Sequence, residues 1–207
     1  MFPPRARLCS GVAAIDVNDD GTLDLITANS LLGYGESDRS VSVLIGNGEG
    51  TFQVPTAYED VGTQPTMIVT SDLNGDGTVD LVTPNGAPST DDSALLGAGD
   101  GTFASPVPIE VGDNPHSTVA VDLNGDGTPD LVTGNLGTSS EITRPEKQGL
   151  SVRLGVGDGS FGPKTPIEND WPTSLTVADL NGDGRVDLIV PNELSNSVAI
   201  YLNMTPR

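Results

Sequence analysis

The sequence predicts an all-β protein built from four repeats, each made of four short antiparallel strands. An acidic, glycine-containing nonapeptide occurs four times, beginning at residues 16, 72, 122 and 179, so that the repeats are 50 to 57 residues long. Short runs rich in β-branched residues precede and follow each copy, which is typical of strands. A period of this length indicates a repeat architecture.

The four nonapeptides carry oxygen-bearing side chains at the same positions. Asp or Asn occupies positions one, three, five and nine of every copy, and Gly occupies position six. Glycine permits a tight reversal that turns the carbonyl of position seven inward. With one or two waters, these groups reach the six to eight oxygens, at about 2.3 to 2.6 Å, that calcium takes. The sequence therefore predicts up to four calcium ions, one in each loop.

The predicted ligands are the four side chains and the carbonyl of position seven. They are Asp16, Asn18, Asp20, Thr22 and Asp24; Asp72, Asn74, Asp76, Thr78 and Asp80; Asp122, Asn124, Asp126, Thr128 and Asp130; and Asp179, Asn181, Asp183, Arg185 and Asp187. The first copy has Asp19 where the others have Gly, which leaves every predicted ligand intact. A metal-free polar hairpin is the alternative for any single copy. Unlike an EF-hand, the loop closes at position nine and a strand follows.

Each repeat predicts its strands in the same order. The first strand ends at the nonapeptide and the second follows it, as in residues 68–71 and 81–83. A connection of variable length leads to a third strand, as in residues 41–45 and 197–202. In three repeats a glycine hairpin ending in Phe52, Phe103 or Phe161 leads to a fourth, Pro-containing strand. Four antiparallel strands in about fifty residues describe a propeller blade.

The chain resembles the FG-GAP or VCBS repeat family, the calcium-loop propeller repeats also found in the head of integrin α subunits. The resemblance rests on the nonapeptides and on hairpins such as residues 99–103, and it covers essentially the whole chain. It implies the calcium ligands given above. The family's usual propeller has seven blades, whereas four repeats are visible here.

We expect one domain over residues 1–207, and the units approximate 9–64, 65–114, 115–171 and 172–207 plus 1–8. A closed four-bladed ring, in which the N-terminal segment completes blade four, is the favoured arrangement because it leaves no exposed edge. Part of a larger ring, or assembly of blades from two chains, is the alternative. The chain is otherwise expected to be a monomer.

Composition narrows the partners and the compartment. The formal net charge of −20, with 29 acidic and 9 basic residues, argues against nucleic acid, which needs a basic surface. No apolar stretch reaches the ~20 residues of a membrane span. Cys9 is alone, so no intrachain disulfide is expected. Weak calcium loops fill outside the cytosol, so we expect an extracellular or secreted protein whose signal is not in this chain.

Binding is a better prediction than catalysis. The only histidine, His116, is expected in a turn, and the acid pairs Asp91–Asp92 and Glu59–Asp60 are expected in solvated loops. The variable connections at residues 30–40, 85–93 and 136–149 are candidate contact surfaces for a protein or carbohydrate ligand. Trp171 either anchors such a ligand or packs between blades.

The sequence is compatible with three functions. The first is a calcium-stabilised adhesion or protein-interaction module without enzyme activity. The second is a lectin that binds sugars between blades, although the positions that match Trp171 are Gln64 and Asn114, which are not aromatic. The third is a non-catalytic domain of a secreted enzyme.

Overall fold

Fifteen short strands make up the regular structure of the residues that the computed structural model describes, 8–30, 39–137 and 149–205. They form four antiparallel sheets in chain order. The strands of the first two sheets are β1 (Leu8–Ile15), β2 (Asp24–Ser30), β3 (Ser40–Leu44), β4 (Thr56–Glu59), β5 (Val69–Ser71), β6 (Asp80–Pro84), β7 (Asp91–Leu95) and β8 (Val107–Glu110). The strands of the other two are β9 (Pro115–Val121), β10 (Asp130–Asn135), β11 (Gly149–Arg153), β12 (Thr165–Ile167), β13 (Thr176–Ala178), β14 (Asp187–Asn192) and β15 (Ser197–Tyr201).

Each sheet is a meander whose neighbours in the chain are neighbours in space. The second strand of every sheet begins at the ninth residue of a nonapeptide, so the acidic loops join the first and second strands, as predicted. The first three sheets have four strands, and the described part of the fourth has three. The predicted all-β fold of four propeller blades is confirmed. The N-terminal segment expected to complete blade four lies mostly outside the described residues. Within those residues no helix is long and apolar enough to cross a membrane.

The core lies between blades. Val41 and Val43 of blade one share a buried cluster with Ile68, Leu81 and Leu95 of blade two. Two further clusters join blade two to blade three and blade three to blade four in the same way. None of the three clusters of described residues joins blade four to blade one, so a closed ring is not shown.

Aromatic and polar contacts reinforce the junction between blades one and two. The rings of Tyr58 and Phe103 meet edge to face with centroids 5.7 Å apart. The Phe103 N–H donates to the Tyr58 hydroxyl at 3.0 Å. Because Tyr58 lies in β4 and Phe103 ends the glycine hairpin of the next blade, the outer strand of one blade is tied to the hairpin of its neighbour.

Two expectations about polar residues are wrong. His116 lies in β9 and not in a turn: it is the extra residue at a bulge, between the Pro115–Asn135 and Ser117–Gly134 pairs of β9 and β10. Its side chain is exposed, and its carbonyl accepts a hydrogen bond from the Thr66 hydroxyl at 2.9 Å. Asp92 lies in β7 and is fully buried, not solvated, because it faces the junction between blades two and three. Glu59 and Asp60 are exposed, as expected, but Glu59 is the last residue of β4 and Asp91 the first of β7, so neither lies in the predicted loop.

Asp92 places a carboxyl group in the core. One carboxylate oxygen accepts hydrogen bonds from the hydroxyls of Thr118 (2.8 Å) and Thr133 (2.7 Å), both in blade three. The other oxygen has no hydrogen-bond partner among the described residues. Burial disfavours the charged form and raises the pKa of Asp92 to about 7, although the two threonine hydroxyls act in the opposite direction.

The buried Asp92 carboxyl should make the free energy of unfolding fall as the pH rises. The folded-state pKa lies above the unfolded value of about 3.9, so the folded protein holds an extra proton between those two pH values. Between about pH 5.5 and pH 8 the free energy of unfolding should drop by about 2 kcal/mol through Asp92, and it should level off above about pH 8. The variant Asp92→Asn should lack this drop. Urea unfolding of both proteins at about pH 5.5 and pH 8, in chelator, measures the difference; equal losses in both would contradict the assignment.

Candidate calcium loops

The first residue of each nonapeptide organises the loop that follows it. Asp72 accepts the N–H groups of Gly75 (2.7 Å) and Asp76 (3.2 Å) on one carboxylate oxygen and that of Gly77 (2.9 Å) on the other. Asp122 and Asp179 make the same three bonds. The chain is therefore wrapped around this carboxylate.

The third and fifth positions extend the same arrangement. The Asn74 side-chain oxygen accepts the Asp76 N–H at 3.0 Å, and Asp76 in turn accepts the N–H of Thr78 at 2.8 Å and its hydroxyl at 2.6 Å. These bonds from Thr78 hold the pKa of Asp76 below its usual value. The fifth-position carboxylate is therefore charged and exposed at neutral pH.

The ninth-position carboxylate is fully buried in all four repeats, at Asp24, Asp80, Asp130 and Asp187. Asp80 accepts the N–H of Leu73, inside its own loop, at 2.8 Å. Its other oxygen accepts the N–H of Gly97, just after the third strand, at 2.7 Å. The other three repeats repeat both bonds at 2.7 to 2.9 Å. This carboxylate therefore clamps the acidic loop to the end of the third strand.

The sequence did not predict the role of the glycine just after the third strand, whose N–H donates to the ninth-position carboxylate in the first three repeats. A Cβ atom at Gly46, Gly97 or Gly155 would lie 2.2 to 2.3 Å from the carbonyl oxygen of the nonapeptide's eighth residue. Only glycine fits there, because no side-chain carbon approaches an oxygen that closely. The detectable signal was a glycine two residues before the start of each glycine hairpin, which begins at Gly48, Gly99 or Gly157. Repeat four has Asn203 at the matching place, and its N–H donates to Asp187 at 2.8 Å.

The donor set of each loop suits a hard cation. Burial raises the pKa of Asp80, its two backbone hydrogen bonds act in the opposite direction, and the neighbouring charges of Asp76 and Asp72 raise it further. Asp130 is in the same situation. A divalent cation would relieve this repulsion among three carboxylates. In the described parts of the chain, no three carboxylate, imidazole or thiolate groups alone form a metal site. The three carboxylates of each predicted set are thus not gathered into such a group, and the set also includes an amide and a backbone carbonyl.

The first and fourth loops differ from the other two. Asp19 occupies the fourth position of loop one with φ of 57°, the left-handed conformation that glycine adopts at Gly75, Gly125 and Gly182. Asp tolerates this conformation better than most residues. In loop four, the Arg185 guanidinium contacts the Asp183 carboxylate at 2.8 Å. Loop four therefore already carries a positive charge beside a predicted ligand.

The other predicted positions are only partly within the described structure. Connections 31–38 and 138–148 lie outside the described residues. Trp171 is half-buried and has φ of 59°, close to 47° at Gln64 and 57° at Asn114. Its carbonyl accepts the Glu193 N–H at 3.2 Å. Trp171 therefore lies in a turn between blades at a position that requires a left-handed backbone conformation. Cys9 is free and exposed.

The clamp should stabilise the fold even without metal. Replacing Asp80 with Ala leaves the N–H groups of Leu73 and Gly97 without a partner, which should cost about 2 to 5 kcal/mol of unfolding free energy. Asp76→Ala is the matched control, since this exposed carboxylate bonds only within its own loop. Urea unfolding in excess chelator should show a much larger loss for Asp80→Ala. Similar small losses for both variants would show that the buried carboxylate is no clamp.

Known structures share this fold at low sequence identity. The crystal structure of BBS1N in complex with ARL6DN, soaked with lead, matches with a TM-score of 0.56 and 12% identity, over 99% of this chain and 55% of that one. A mutant of NanB sialidase from Streptococcus pneumoniae matches with a TM-score of 0.53 and 12% identity, over 92% of this chain and 29% of that one. The chain thus spans about half or less of these structures. A search of the curated proteins finds no match.

The repeats themselves identify the family. The model for the FG-GAP-like repeat matches residues 16–83, 72–133 and 142–190, which together make up most of the chain. The first two matched segments each begin at the first Asp of a nonapeptide and run into the second strand of the following blade. Each matched segment contains at least one complete nonapeptide, and the chain belongs to the FG-GAP-like repeat family.

Proposed function

We propose that this chain is a calcium-stabilised, extracellular propeller module that binds a protein partner and has no catalytic role of its own. The observation that carries the proposal is the loop architecture: an Asp that accepts the N–H groups of the loop, an Asn, a second Asp that is exposed in three of the four loops, and a buried Asp recur in every blade. A hairpin turn alone gains nothing from three neighbouring carboxylates, which repel one another unless a cation is present.

The ligands in each loop follow from this geometry. In loop two, the side chains of Asp72, Asn74, Asp76 and Asp80 and the carbonyl of Thr78 would hold the ion. Calcium would supply two positive charges beside these carboxylates and fix the loop between two strands. Four ions would change the formal charge from −20 to −12. Much of the acidity of this chain would then serve metal binding.

Partner binding is proposed for the connections between second and third strands. Of the three variable connections, only the one predicted at residues 85–93 is described throughout; its last three residues belong to β7, so the connection itself is residues 85–90, and it is held firmly. The Ala87 N–H donates to the Asn114 side chain at 2.8 Å, and the Asn114 N–H donates to the Ser89 carbonyl at 2.9 Å. A loop fixed in this way presents a preformed surface, and recognition residues concentrate on loops held by a rigid scaffold. The lectin alternative gains no support from the positions that match Trp171, because Gln64 and Asn114 are not aromatic.

Calcium should raise the melting temperature specifically. A site filled at ten times its dissociation constant adds about 1.4 kcal/mol, and four sites together should shift the melting temperature on the order of 10 °C. Thermal unfolding in millimolar calcium, in millimolar magnesium and in excess chelator measures the effect. Magnesium should give a much smaller rise, since it prefers a stricter octahedron and keeps more of its water.

Identical melting temperatures in all three conditions would contradict the proposal. The loops would then be metal-free turns, and the extracellular assignment would lose its basis. A variant with two fifth-position carboxylates neutralised, Asp76→Asn together with Asp126→Asn, is the matched control. It keeps the loop's shape and should lose part of the calcium-dependent rise.

Loop four should bind calcium more weakly than the other loops, because Arg185 already pairs with Asp183. Arg185→Thr restores the residue of the other loops and should strengthen the weakest site several-fold. The reverse change, Thr128→Arg in loop three, should weaken that site. Isothermal titration of the three proteins measures both. Dissociation constants of about 10⁻⁴ to 10⁻³ M would fit an extracellular module, whereas unchanged titrations would contradict the role of Arg185.

A further inference from the structure

Successive blades contact each other through two repeated positions. The leading position lies on the first strand or just before it, four residues before each nonapeptide, and its occupants are Val12, Ile68, Thr118 and Leu175. The trailing position lies on the third strand, and its occupants are Val41, Asp92, Leu150 and Val198. Each trailing residue pairs across the sheet with the fifth residue of the second strand of its blade.

The trailing position of one blade meets the leading position of the next. Asp92 accepts a hydrogen bond from the Thr118 hydroxyl at 2.8 Å, which places the two positions in direct contact between blades two and three. Val41 and Ile68 belong to one buried cluster between blades one and two. Leu150 and Leu175 belong to another between blades three and four. All three junctions therefore use the same pair of positions.

In blade one the leading position is exposed, and in blade four the trailing position is exposed. Val12 of blade one is 63% exposed, whereas the leading residues of the other blades are 8%, 0% and 6% exposed. Val198 of blade four is 61% exposed, whereas the other trailing residues are 0%, 0% and 2% exposed. Ile200, two residues further along β15, is also exposed, although its counterparts Val43 and Ala94 are buried.

These ends are the two halves of one more junction. We infer that blade four of one copy of this chain packs head to tail on blade one of a second copy, so that Val198 meets the other copy's Val12 as Val41 meets Ile68 within a chain. The partner is a second copy because the chain itself carries both halves of a contact that it makes three times internally. The contact is heterologous, and two such contacts would close two copies into one ring.

The structure favours contact between a trailing and a leading position over contact between two like positions. Every observed junction joins a trailing position to a leading position, and none of the described junctions joins two trailing positions. A β-branched residue at Val12 or Val198 has the same apolar character as the buried residues at most matching positions. Covering both ends would remove exposed apolar surface that folded chains normally bury in an interface.

Lysine substitutions test the inference without adding negative charge to an acidic protein. In millimolar calcium, light scattering coupled to size exclusion should give wild-type protein a mass of twice the 21.2 kDa of one chain. Val12→Lys and Val198→Lys should each yield monomers, with association weakened about tenfold or more, because a lysine would be buried without a partner. Val54→Lys is the matched control: Val54 is 89% exposed and lies outside both positions, so this variant should remain a dimer. Circular dichroism and melting temperature confirm that each variant is folded.

Mixing the two monomeric variants tests whether the contact joins a trailing end to a leading end. The Val12→Lys protein keeps an intact trailing end, and the Val198→Lys protein keeps an intact leading end, so an equimolar mixture should form a one-to-one complex through a single junction. Native mass spectrometry, with one variant isotopically labelled, identifies that complex. A wild-type protein that stays monomeric at all concentrations would overturn the inference. So would a dimer that survives Val12→Lys, or a mixture that stays monomeric.

Discussion

The buried carboxylate at the ninth position of each acidic loop is the interaction on which the other features depend. In every blade it accepts one N–H from its own loop and one from the chain just after the third strand. The loop cannot shift without breaking a bond to the sheet, and the third strand cannot shift without disturbing the loop. The glycine beside it, as at Gly97, permits the close approach that this bond requires. Loop geometry is therefore set by the blade.

This clamp also explains how a metal-binding loop can keep its shape. Backbone N–H groups satisfy the first, fifth and ninth carboxylates of loop two, so the loop has hydrogen bonds for its acidic groups in the absence of an ion. Burial is the main reason that the pKa of Asp80 is raised, and those bonds leave in place the repulsion from Asp76 and Asp72 that raises it further. On the proposed function, calcium removes that repulsion and adds stability to a preformed loop. The ion then strengthens the blade without having to create it.

The sequence predicted the parts of this structure that are local and repeated. Asp and Asn at fixed positions placed the loops, and β-branched runs placed the strands on both sides of them, because both signals lie within a few neighbouring residues. The role of Gly97 depends on a contact with the distant Val79 carbonyl, and the burial of Asp92 depends on the hydroxyls of another blade, so neither could be inferred from local pattern. The left-handed backbone at Trp171 could have been inferred from its alignment with Asn114, a residue that favours that conformation.

The most direct test of the central claim is a crystal structure grown in millimolar calcium, with anomalous scattering to locate the ions. We predict an ion in the second loop at about 2.3 to 2.6 Å from oxygens of Asp72, Asn74, Asp76, Asp80 and the Thr78 carbonyl. Asp80 should keep its hydrogen bond from Gly97 while it binds the ion. Loops that contain no ion at saturating calcium, with unchanged hydrogen bonds, would contradict the claim.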